Sequence, residues 1–418
     1  MIRTVLPGSR TGNVRAPSSK SMAHRQLVTT ALAERPSRLK IDGISDDILA
    51  TIGCLNAFGA DITLADDTLT VVPIDIEKPI SRVTLLPRES GTTLRFMLPL
   101  AGLLGVSADI IPEGRLLSRP LRELTNELSR HGMRFTFGED AIRASGRLLP
   151  GDYVLPGNIS SQYISALLLT LPKLENDSRL TVTGNVESKA YIDLTVSALN
   201  NAGVRIDRDD NVFYIKGSQK YVPADYSAAE GDWSNAAFFL CMGALSRNGI
   251  SVSGLNNDSM QGDRQIAGIL ARMGANVSVS DHAITVKGGE LKALTLDVSQ
   301  IPDLVPAVST LMAFADGTSR ITNAGRLRLK ESDRLETTCS FLRAIGADAA
   351  LDVDDIVIKG KRVLAGGKAD AFNDHRVAMA LTLAACGCLG PVVIRGAEAV
   401  NKSFPDFFRR FDSLEVET

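Results

Sequence analysis

The sequence has few of the residues that mark several large classes of protein. Its 418 residues include five cysteines, four histidines and one tryptophan, and the formal net charge is -2. Neither the odd number nor the spacing of the cysteines suits a disulfide framework or a zinc site. The balance of 46 basic and 48 acidic residues gives no reason to expect nucleic acid or an acidic membrane as a partner. These absences argue against a metal enzyme and leave any anion binding to the local placement of charge.

Long apolar runs are also missing. The N-terminus lacks the apolar core of a signal peptide. The most apolar stretch, Val377 to Ile394, is interrupted by Gly387, Gly390 and Pro391 before it reaches the length of a membrane span. We therefore expect this stretch to form a buried helix and then a strand, in a protein located in the cytoplasm.

What the sequence does contain is a repeat. Polar helix starts followed by apolar residues recur along the whole chain, at steps of 71, 70, 72, 70 and 72 residues. The markers of these starts are Lys20, Gly91, Ser161, Trp233, Asp303 and His375. A fixed period over a whole chain indicates internal repetition.

A second series of residues has the same period. Amphipathic helices are predicted to end at Gly59, Gly132, Gly203, Gly274 and Gly346, which lie 73, 71, 71 and 72 residues apart. Glycine is the expected helix stop in a left-handed conformation, and a short alternating strand follows each of the first four. The chain is therefore predicted to hold six βαβα-type units of about 70 residues. Because 418 residues are too many for one core, we expect two domains of three units, with a crossing between them at about residues 217–229.

The helix starts also carry the candidate functional residues. A helix N-terminus presents free backbone N–H groups and a partial positive charge, which suit an anion. Lys20 adds a full positive charge at the first of these helix starts. Lys330 and Arg334 are predicted to share one face of a first helical turn beside Glu331, although each cation there opposes the helix dipole by about 0.3 to 1 kcal/mol. Read alone, such a start is more typical of a capped surface helix than of an anion site, and Asp303 is typical of a helix cap.

Taken together, the charged residues at these starts indicate a single site. The basic residues concerned are Lys20, Arg25, Arg95, Arg119, Lys330, Arg334, Arg376 and Lys402. If two three-unit domains face each other, these residues converge on one interdomain cleft. Such a cleft suits a small, multiply anionic substrate, and its closure would expel water.

The same segments resemble the motifs of the 5-enolpyruvylshikimate-3-phosphate synthase family, in order and over essentially the whole chain. The matching segments are Ser19-Lys20-Ser21 with Arg25, Ser90-Gly91-Thr92-Thr93-Leu94-Arg95, Ser118-Arg119-Pro120, Ser160-Ser161-Gln162, Ser188-Lys189-Ala190-Tyr191, Ile301-Pro302-Asp303, Lys330-Glu331-Ser332-Asp333-Arg334, Asn373-Asp374-His375-Arg376 and Lys402-Ser403-Phe404-Pro405-Asp406. As a set, these motifs are highly specific.

The resemblance implies an α/β (α+β) fold of two similar domains, each made of three βαβαββ repeats in an inside-out α/β barrel. One domain would be discontinuous, with residues 1–18 and 229–418, and would lie on the phosphoenolpyruvate side of the interdomain site. The other, residues 19–228, would lie on the shikimate 3-phosphate side. The resemblance further implies a monomer that needs no cofactor and whose partners are these two small molecules.

The implied reaction transfers the enolpyruvyl group of phosphoenolpyruvate to the 5-hydroxyl of shikimate 3-phosphate and releases phosphate. The residues implied to bind shikimate 3-phosphate are Ser21, Arg25, Ser160, Ser161, Gln162, Ser188, Asp303 and Lys330. Those implied to bind phosphoenolpyruvate are Lys20, Gly91, Arg119, Gln162, Arg334, Arg376 and Lys402.

The chemistry explains why these residue types are needed. Attack at C2 of phosphoenolpyruvate requires protonation of C3, so the site needs an acid near the methylene and a base near the 5-hydroxyl. The resemblance implies Asp303 as the base and Glu331 as the acid, with Lys20 as a competing proton donor. Cations already in place would stabilise a tetrahedral intermediate that carries phosphate and carboxylate.

Two alternatives remain at this point. A sister enzyme transfers the same group to UDP-N-acetylglucosamine, but it commonly uses a cysteine in a loop before an Arg-Pro pair. The corresponding loop here, Glu113 to Pro120, has none. The repeat could also be a non-catalytic anion-binding scaffold, which would bind ligands without turnover.

Overall fold

The computed structural model describes residues 1–78, 80–281 and 283–417. The chain divides into two compact units. Unit 1 comprises Met1–Pro17 and Glu230–Thr418, and unit 2 comprises Ser18–Ala229. Each unit is built on its own cluster of buried apolar side chains. Among the described residues, no helix is both long enough and apolar enough to cross a membrane.

The chain begins with two strands that belong to unit 1, β1 (Ile2–Val5) and β2 (Arg10–Arg15). The helices and strands of unit 2 then follow in three segments. The first holds α1 (Lys20–Ala31), β3 (Ser37–Lys40), α2 (Asp46–Ala57), β4 (Asp61–Ala65) and β5 (Thr68–Val72). The second holds β6 (Arg82–Arg88), α3 (Gly91–Leu104), β7 (Ser107–Pro112), α4 (Arg122–Arg130), β8 (Arg134–Phe137) and β9 (Ile142–Ser145). The third holds β10 (Asp152–Pro156), α5 (Ser161–Leu168), β11 (Ser178–Thr183), α6 (Lys189–Asn201), β12 (Ile206–Asp209), β13 (Val212–Ile215) and β14 (Tyr226–Ala228).

The sheets of unit 2 share one topology. Their strand orders are β14-β3-β5-β4, β6-β7-β9-β8 and β10-β11-β13-β12. In each, the first two strands are parallel, and the last three run antiparallel to their neighbours. Parallel neighbours need a crossover, which a buried helix supplies, whereas antiparallel neighbours need only a hairpin. The βαβαββ repeat follows directly from these two connections.

Unit 1 repeats the pattern with strands from both ends of the chain. Its later elements are α7 (Trp233–Gly243), β15 (Ile250–Ser253), α8 (Ile266–Arg272), β16 (Asn276–Val279), β17 (Ala283–Lys287), β18 (Thr295–Asp297), α9 (Val305–Met312), β19 (Thr318–Thr322), α10 (Arg334–Ala344), β20 (Asp348–Asp352), β21 (Asp355–Lys359), β22 (Gly367–Asp370), α11 (His375–Ala385), β23 (Val392–Arg395), α12 (Phe407–Asp412) and β24 (Glu415–Val416). Its sheets have the orders β16-β17-β15-β2-β24, β18-β19-β21-β20 and β1-β23-β22.

The glycine series of the sequence is confirmed. Gly59, Gly132, Gly203, Gly274 and Gly346 all have positive φ, between 77° and 100°. Each follows an outer helix and precedes a strand, so a left-handed residue ends the helix and redirects the chain. The predicted apolar stretch is also confirmed as a buried helix, α11, and then a strand, β23.

Two parts of the chain differ from what the repeat predicted. The segment 217–229 contains β14, which pairs in parallel with β3, and it therefore serves as the first strand of the first repeat as well as a connector. At the other end, β24 pairs with β2, and β1 rather than a C-terminal strand completes the third sheet of unit 1. Both differences are pairings between residues far apart in the sequence.

Candidate active site

In unit 1, basic groups from two other segments meet Asp303. One oxygen of its carboxylate, Oδ1, accepts hydrogen bonds from Lys330 Nζ at 3.2 Å and from Arg334 NH1 at 2.8 Å. Arg376 NH1 donates to the main-chain oxygen of Asp303 at 3.1 Å, and Arg376 NH2 lies 3.6 Å from Oδ2. Asp303 is inside a short 3-10 turn, Pro302–Leu304, and Leu304 occupies the N-cap position of α9, so the interpretation of Asp303 as the cap of that helix is wrong.

Arg334 is almost fully buried in this cluster, with 1% of its surface exposed. Besides Asp303, it donates to Glu331 Oε2 at 2.6 Å and to the two oxygens of Asp374 at 2.8 and 3.2 Å. Ser332 Oγ donates to the same Asp374 carboxylate at 2.9 Å. Three carboxylates therefore share one guanidinium, whose planar fork suits several oxygen acceptors at once.

The prediction that Lys330 and Arg334 share a helical turn is wrong. Helix α10 begins at Arg334, because the Asp333 side chain accepts a hydrogen bond from the backbone N–H of Glu336 and so caps the helix there. Lys330 lies before this cap in an extended conformation. Its ammonium therefore does not oppose the dipole of α10, and Asp303 supplies a nearby negative charge instead.

The charges in this cluster shift each other's pKa values. Burial lowers the pKa of Lys330, while the Asp303 carboxylate opposes that shift. Burial would also lower the pKa of Arg334, but the charges of Asp374, Glu331 and Asp303 outweigh it and raise the pKa. Burial would raise the pKa of Asp374, and Arg334 reverses this effect and lowers it. The cluster is thus held as ion pairs in a buried environment.

The start of α11 brings two more predicted residues close together. Asp374 caps this helix by accepting a hydrogen bond from Arg376 N at 2.9 Å, and His375 is its buried first residue. Lys402 Nζ donates to the main-chain oxygen of Asn373 at 2.6 Å. The structure therefore places Arg376 and Lys402 at one helix start, where backbone N–H groups also favour an anion.

In unit 2, Lys20 is the first residue of α1 and pairs with Asp47 at the start of α2. The distance from Lys20 Nζ to Asp47 Oδ2 is 2.7 Å. Behind this pair, Thr51 Oγ1 lies 2.7 Å from His24 Nδ1 and 2.7 Å from Thr93 Oγ1. This buried chain of hydrogen bonds joins three helices, α1, α2 and α3, near their N-terminal ends and fixes their relative positions.

Arg25 is buried one turn after Lys20, and uncharged oxygen atoms surround it. Arg25 Nε donates to Thr195 Oγ1 at 2.7 Å, and NH2 donates to Ser165 Oγ at 3.2 Å. Two main-chain oxygens accept from the same guanidinium, those of Ser21 at 2.7 Å and Tyr191 at 2.9 Å. Burial lowers the pKa of Arg25 to about 10. Ser21 thus meets Arg25 through its backbone oxygen.

Gly91, the first residue of α3, lies against two guanidinium groups. A Cβ atom at this position would stand 2.5 Å from Arg95 NH1 and 2.8 Å from Arg119 NH1, so any side chain would displace both groups. Arg95 NH1 donates to Gln162 Oε1 at 2.8 Å, and Gln162 Nε2 donates to Thr92 Oγ1 at 2.8 Å. Gly91, Arg119 and Gln162, all predicted from the sequence, therefore lie together, and Arg95 orients Gln162.

The predicted serines lie at the starts of two packed helices, α5 and α6. Ser160 caps α5 by accepting from Gln162 N at 3.3 Å, and Ser161 is the buried first residue of that helix. Ser188 precedes α6 and has a φ of 54°, in the left-handed region that residues other than glycine seldom occupy. Hydroxyls and backbone N–H groups at two adjacent helix starts form a setting that suits a phosphate.

Sequence reasoning missed several residues that hold this arrangement. Asp47, Ser165 and Thr195 position the predicted cations of unit 2, and Asp374 positions Arg334 and Arg376 in unit 1. Asp374 had a signal, because an Asp two residues before a helical Arg is typical of a cap. The other three had none, since their partners lie 27 or more residues away.

Comparison with known proteins places this geometry in a family. The family model described as EPSP synthase (3-phosphoshikimate 1-carboxyvinyltransferase) matches residues 7–411. A protein from Clostridium novyi (strain NT) named 3-phosphoshikimate 1-carboxyvinyltransferase is 38% identical over 421 residues, covering 98% of this chain and 96% of that protein. One of the same name from Brachyspira hyodysenteriae (strain ATCC 49526 / WA1) is 39% identical, with 99% of each chain covered.

Solved structures agree with these relatives. The structure of EPSP synthase from Acinetobacter baumannii superposes with a TM-score of 0.83 at 26% identity, and all of both chains is covered. The enolpyruvyl transferase NikO from Streptomyces tendae superposes with a TM-score of 0.78 at 18% identity, covering 100% of this chain and 97% of that one. The second likeness concerns the fold alone. The Acinetobacter baumannii structure is similar to this chain in both fold and sequence.

Proposed function

The chain belongs to the EPSP synthase family, and we propose that the clusters of charged and polar residues described above carry out the reaction of that family. The reaction transfers the enolpyruvyl group of phosphoenolpyruvate to the 5-hydroxyl of shikimate 3-phosphate through a tetrahedral intermediate and releases phosphate. It is a step of the shikimate pathway toward the aromatic amino acids. The chain is therefore a 3-phosphoshikimate 1-carboxyvinyltransferase.

The observation that carries the assignment of roles is the set of contacts around Asp303. A general base must be ionised and must be held so that one oxygen can reach the substrate hydroxyl. Lys330 and Arg334 both bind Oδ1 of Asp303 and so fix the carboxylate in orientation. We assign Asp303 as the base that takes the proton of the 5-hydroxyl, with Lys330 holding the same substrate.

Two residues are candidates for the acid that protonates C3 of phosphoenolpyruvate. Glu331 is bound to Arg334 at 2.6 Å, and Lys20 is bound to Asp47 at 2.7 Å. Each must exchange its present partner for the substrate before it can act. We propose that Glu331 is the acid, with Lys20 as the competing donor, and the deuterium incorporation of Glu331→Gln described below tests this choice.

The remaining cations and hydroxyls bind the two substrates. Phosphoenolpyruvate carries a phosphate and a carboxylate, and the proposed ligands are Lys20, Gly91, Arg119, Gln162, Arg334, Arg376 and Lys402. Shikimate 3-phosphate is held by Ser21, Arg25, Ser160, Ser161, Gln162, Ser188, Asp303 and Lys330. Each preplaced donor that meets developing charge would contribute about 2.7 to 4 kcal/mol to stabilising the transition state.

We propose a matching division of the chain. Residues 1–18 and 229–418 form the phosphoenolpyruvate side, supported by the cations at the starts of α10 and α11. Residues 19–228 form the shikimate 3-phosphate side, supported by the hydroxyls at the starts of α5 and α6. We also propose a monomer in the cytoplasm, with no nucleic acid or membrane partner. The described cysteines are free thiols, which is typical of a reducing compartment.

The test is phosphate release from phosphoenolpyruvate, with shikimate 3-phosphate and UDP-N-acetylglucosamine offered separately as acceptors and the product identified by mass. Turnover with the shikimate acceptor alone is expected. Asp303→Asn and Glu331→Gln should each lower kcat by about 10²- to 10⁴-fold, because each removes a general acid or base. In D₂O, the variant that has lost the C3 acid should also lose deuterium incorporation at C3 of recovered phosphoenolpyruvate.

Surface variants provide the matched control. Asp258→Asn and Glu415→Gln make the same chemical changes at exposed positions and should leave kcat unchanged. Turnover with the sugar nucleotide alone would instead assign the chain to the sister reaction. Binding of both shikimate 3-phosphate and phosphoenolpyruvate without any phosphate release, in folded protein, would support the non-catalytic scaffold.

A further inference from the structure

Behind the proposed base of unit 1 lies a buried carboxyl group to which the reaction gives no role. Asp263 is in a short 3-10 turn, Gly262–Gln265, between β15 and α8, and 4% of its surface is exposed. Its Oδ2 accepts a hydrogen bond from the hydroxyl of Ser234, in the first turn of α7. The same hydroxyl oxygen accepts from Arg376 NH2 at 3.1 Å. Asp263 is thus linked to Arg376 through a single side chain.

The direction of these hydrogen bonds follows from the number of protons. A serine hydroxyl has one hydrogen and two lone pairs. Because Ser234 gives its hydrogen to Asp263, only its lone pairs face Arg376, and the guanidinium must donate. Arg376 in turn donates to the main-chain oxygen of Asp303. An ionised Asp263 therefore orients both the hydroxyl and the arginine.

The charged groups that face Asp263 come from neighbouring segments. They are Asp303, Arg376 and Asp232. Burial raises the pKa of Asp263 to about 7, the negative charges of Asp303 and Asp232 add to the increase, and Arg376 opposes it. The carboxyl group therefore changes its charge within the range in which the enzyme would be assayed.

We propose that Asp263 is a positioning residue for the enolpyruvyl transfer: through the Ser234 hydroxyl, its ionised form holds the Arg376 guanidinium against Asp303, and its protonated form releases it. This inference rests on the roles proposed for Arg376 and Asp303. A protonated Asp263 is neutral and binds the Ser234 hydrogen less strongly, so the hydroxyl can rotate and its lone pairs are no longer fixed toward Arg376. Above about pH 7 the link is in place, and below it the link is lost.

The experiment measures kcat/KM for phosphoenolpyruvate between about pH 6 and pH 8.5, in the wild type, Asp263→Asn and Ser234→Ala. At the alkaline end, each variant should be about 10- to 100-fold slower, the usual effect of losing a hydrogen bond to a charged group. The ratio of wild type to variant should fall toward one at the acid end, where the wild type is itself protonated. Because the substrate phosphates titrate equally in every sample, their ionisation cancels in this ratio.

Controls separate the possible failures. Asp258→Asn removes a carboxylate from the exposed part of the same connection and should show a ratio of one throughout. A ratio that is the same at every pH for both variants would mean a purely structural role, and no loss of rate at alkaline pH would also overturn the inference. If Asp263→Asn fails to fold, Ser234→Ala removes only a hydroxyl and must show the same pH-dependent ratio. Failure of the proposed base would appear differently, as turnover retained in Asp303→Asn.

Discussion

The two units bury an arginine in opposite ways. In unit 1, Arg334 lies among the carboxylates of Asp303, Glu331 and Asp374, and its pKa is raised. In unit 2, Arg25 lies among hydroxyl and carbonyl oxygens, and burial lowers its pKa to about 10. The same βαβαββ repeat therefore supports two different electrostatic environments.

The difference suggests that the two units have different roles in the reaction. The carboxylates in unit 1 neutralise its buried cation, so this cluster offers ionised groups that can accept a proton in a buried environment. The hydroxyl and carbonyl partners of Arg25 satisfy its N–H groups and leave its positive charge to attract an anion. Acid–base chemistry therefore fits unit 1, and binding of a phosphorylated substrate fits unit 2.

The largest expected effect contrasts the two arginines directly. Arg334→Met should lower the free energy of unfolding of unit 1 by about 3 to 5 kcal/mol, because it leaves the Asp374 carboxylate buried without its main charge partner. Arg25→Met should cost unit 2 only about 1 to 3 kcal/mol, because the groups left behind are neutral. Urea unfolding measures both losses.

The unfolding of each unit can be measured separately. The single tryptophan, Trp233, is buried in α7, so its fluorescence reports on unit 1, and hydrogen exchange of peptides from α1, α5 and α6 reports on unit 2. Equal losses in the two variants would mean that the charge of the partners does not matter, and the contrast between the units would fail.

A second prediction sharpens the contrast through ligand binding. Shikimate 3-phosphate at about 100 times its Kd should stabilise the wild type by about 2.7 kcal/mol. Arg25→Gln should lose most of this stabilisation at the same concentration, since the buried positive charge is gone. Glu331→Gln should keep it, because that residue is assigned to proton transfer.

The measurement is the shift in thermal unfolding midpoint on adding ligand. Arg35→Gln serves as the matched control, since Arg35 lies on the surface of the same unit and pairs with Asp225 at 3.0 Å. A full ligand shift in Arg25→Gln would show that Arg25 is a structural residue alone.

The smallest expected effect concerns acid stability. Glu417 accepts hydrogen bonds from the hydroxyls of Ser9 at 2.7 Å and Ser246 at 2.8 Å, and from the backbone N–H groups of Arg247 and Asn248. Burial would raise the pKa of Glu417, but these bonds outweigh it and lower the pKa to about 2 from an ordinary value of 4.5. The ionised group therefore stabilises unit 1 above about pH 4.5, and this stabilisation is lost as the pH falls toward 2.

Glu417→Gln should lower the stability of unit 1 by about 1 kcal/mol at neutral pH. The difference from the wild type should shrink as the pH falls from 4.5 toward 2, because the wild-type carboxylate becomes protonated there. Hydrogen exchange of β2 and β24 measures this difference in stability. The control Glu415→Gln, at an exposed position of β24, should exchange like the wild type. A difference that persists at the lowest pH would contradict this account.

Much of the fold could be predicted because the repeat is determined by residues that act on their close neighbours in the sequence. A glycine that ends a helix does so through its own φ, and an Asp or Ser that caps a helix acts within three residues. The strand partners of β1, β2 and β14 gave no local signal, since each pairing joins residues more than 180 positions apart. For β1 and β2, only the family resemblance placed residues 1–18 with residues 229–418.

In the site, too, local features could be predicted and long-range contacts could not. Residue types at the helix starts could be assigned from motifs, but their partners could not. Asp303 resembled a cap because its cations lie 27 and 31 residues further along the chain. The pair of Asp263 and Ser234 gave no signal, because they lie 29 residues apart and meet Arg376 a further 100 or more residues away.

The strands at the start of the chain cannot pair until late in synthesis. Arg15 pairs opposite Ser253, and Val5 pairs opposite Val392, so the first strands must wait for partners made 238 and 387 residues later. At roughly 5 to 20 residues per second, that delay is tens of seconds on the ribosome. Unit 2 is contiguous and can fold meanwhile, whereas unit 1 is completed only after its last strands emerge. The nascent chain therefore carries two unpaired strands until their partners emerge, and the unpaired backbone N–H and C=O groups of such strands can pair with other chains.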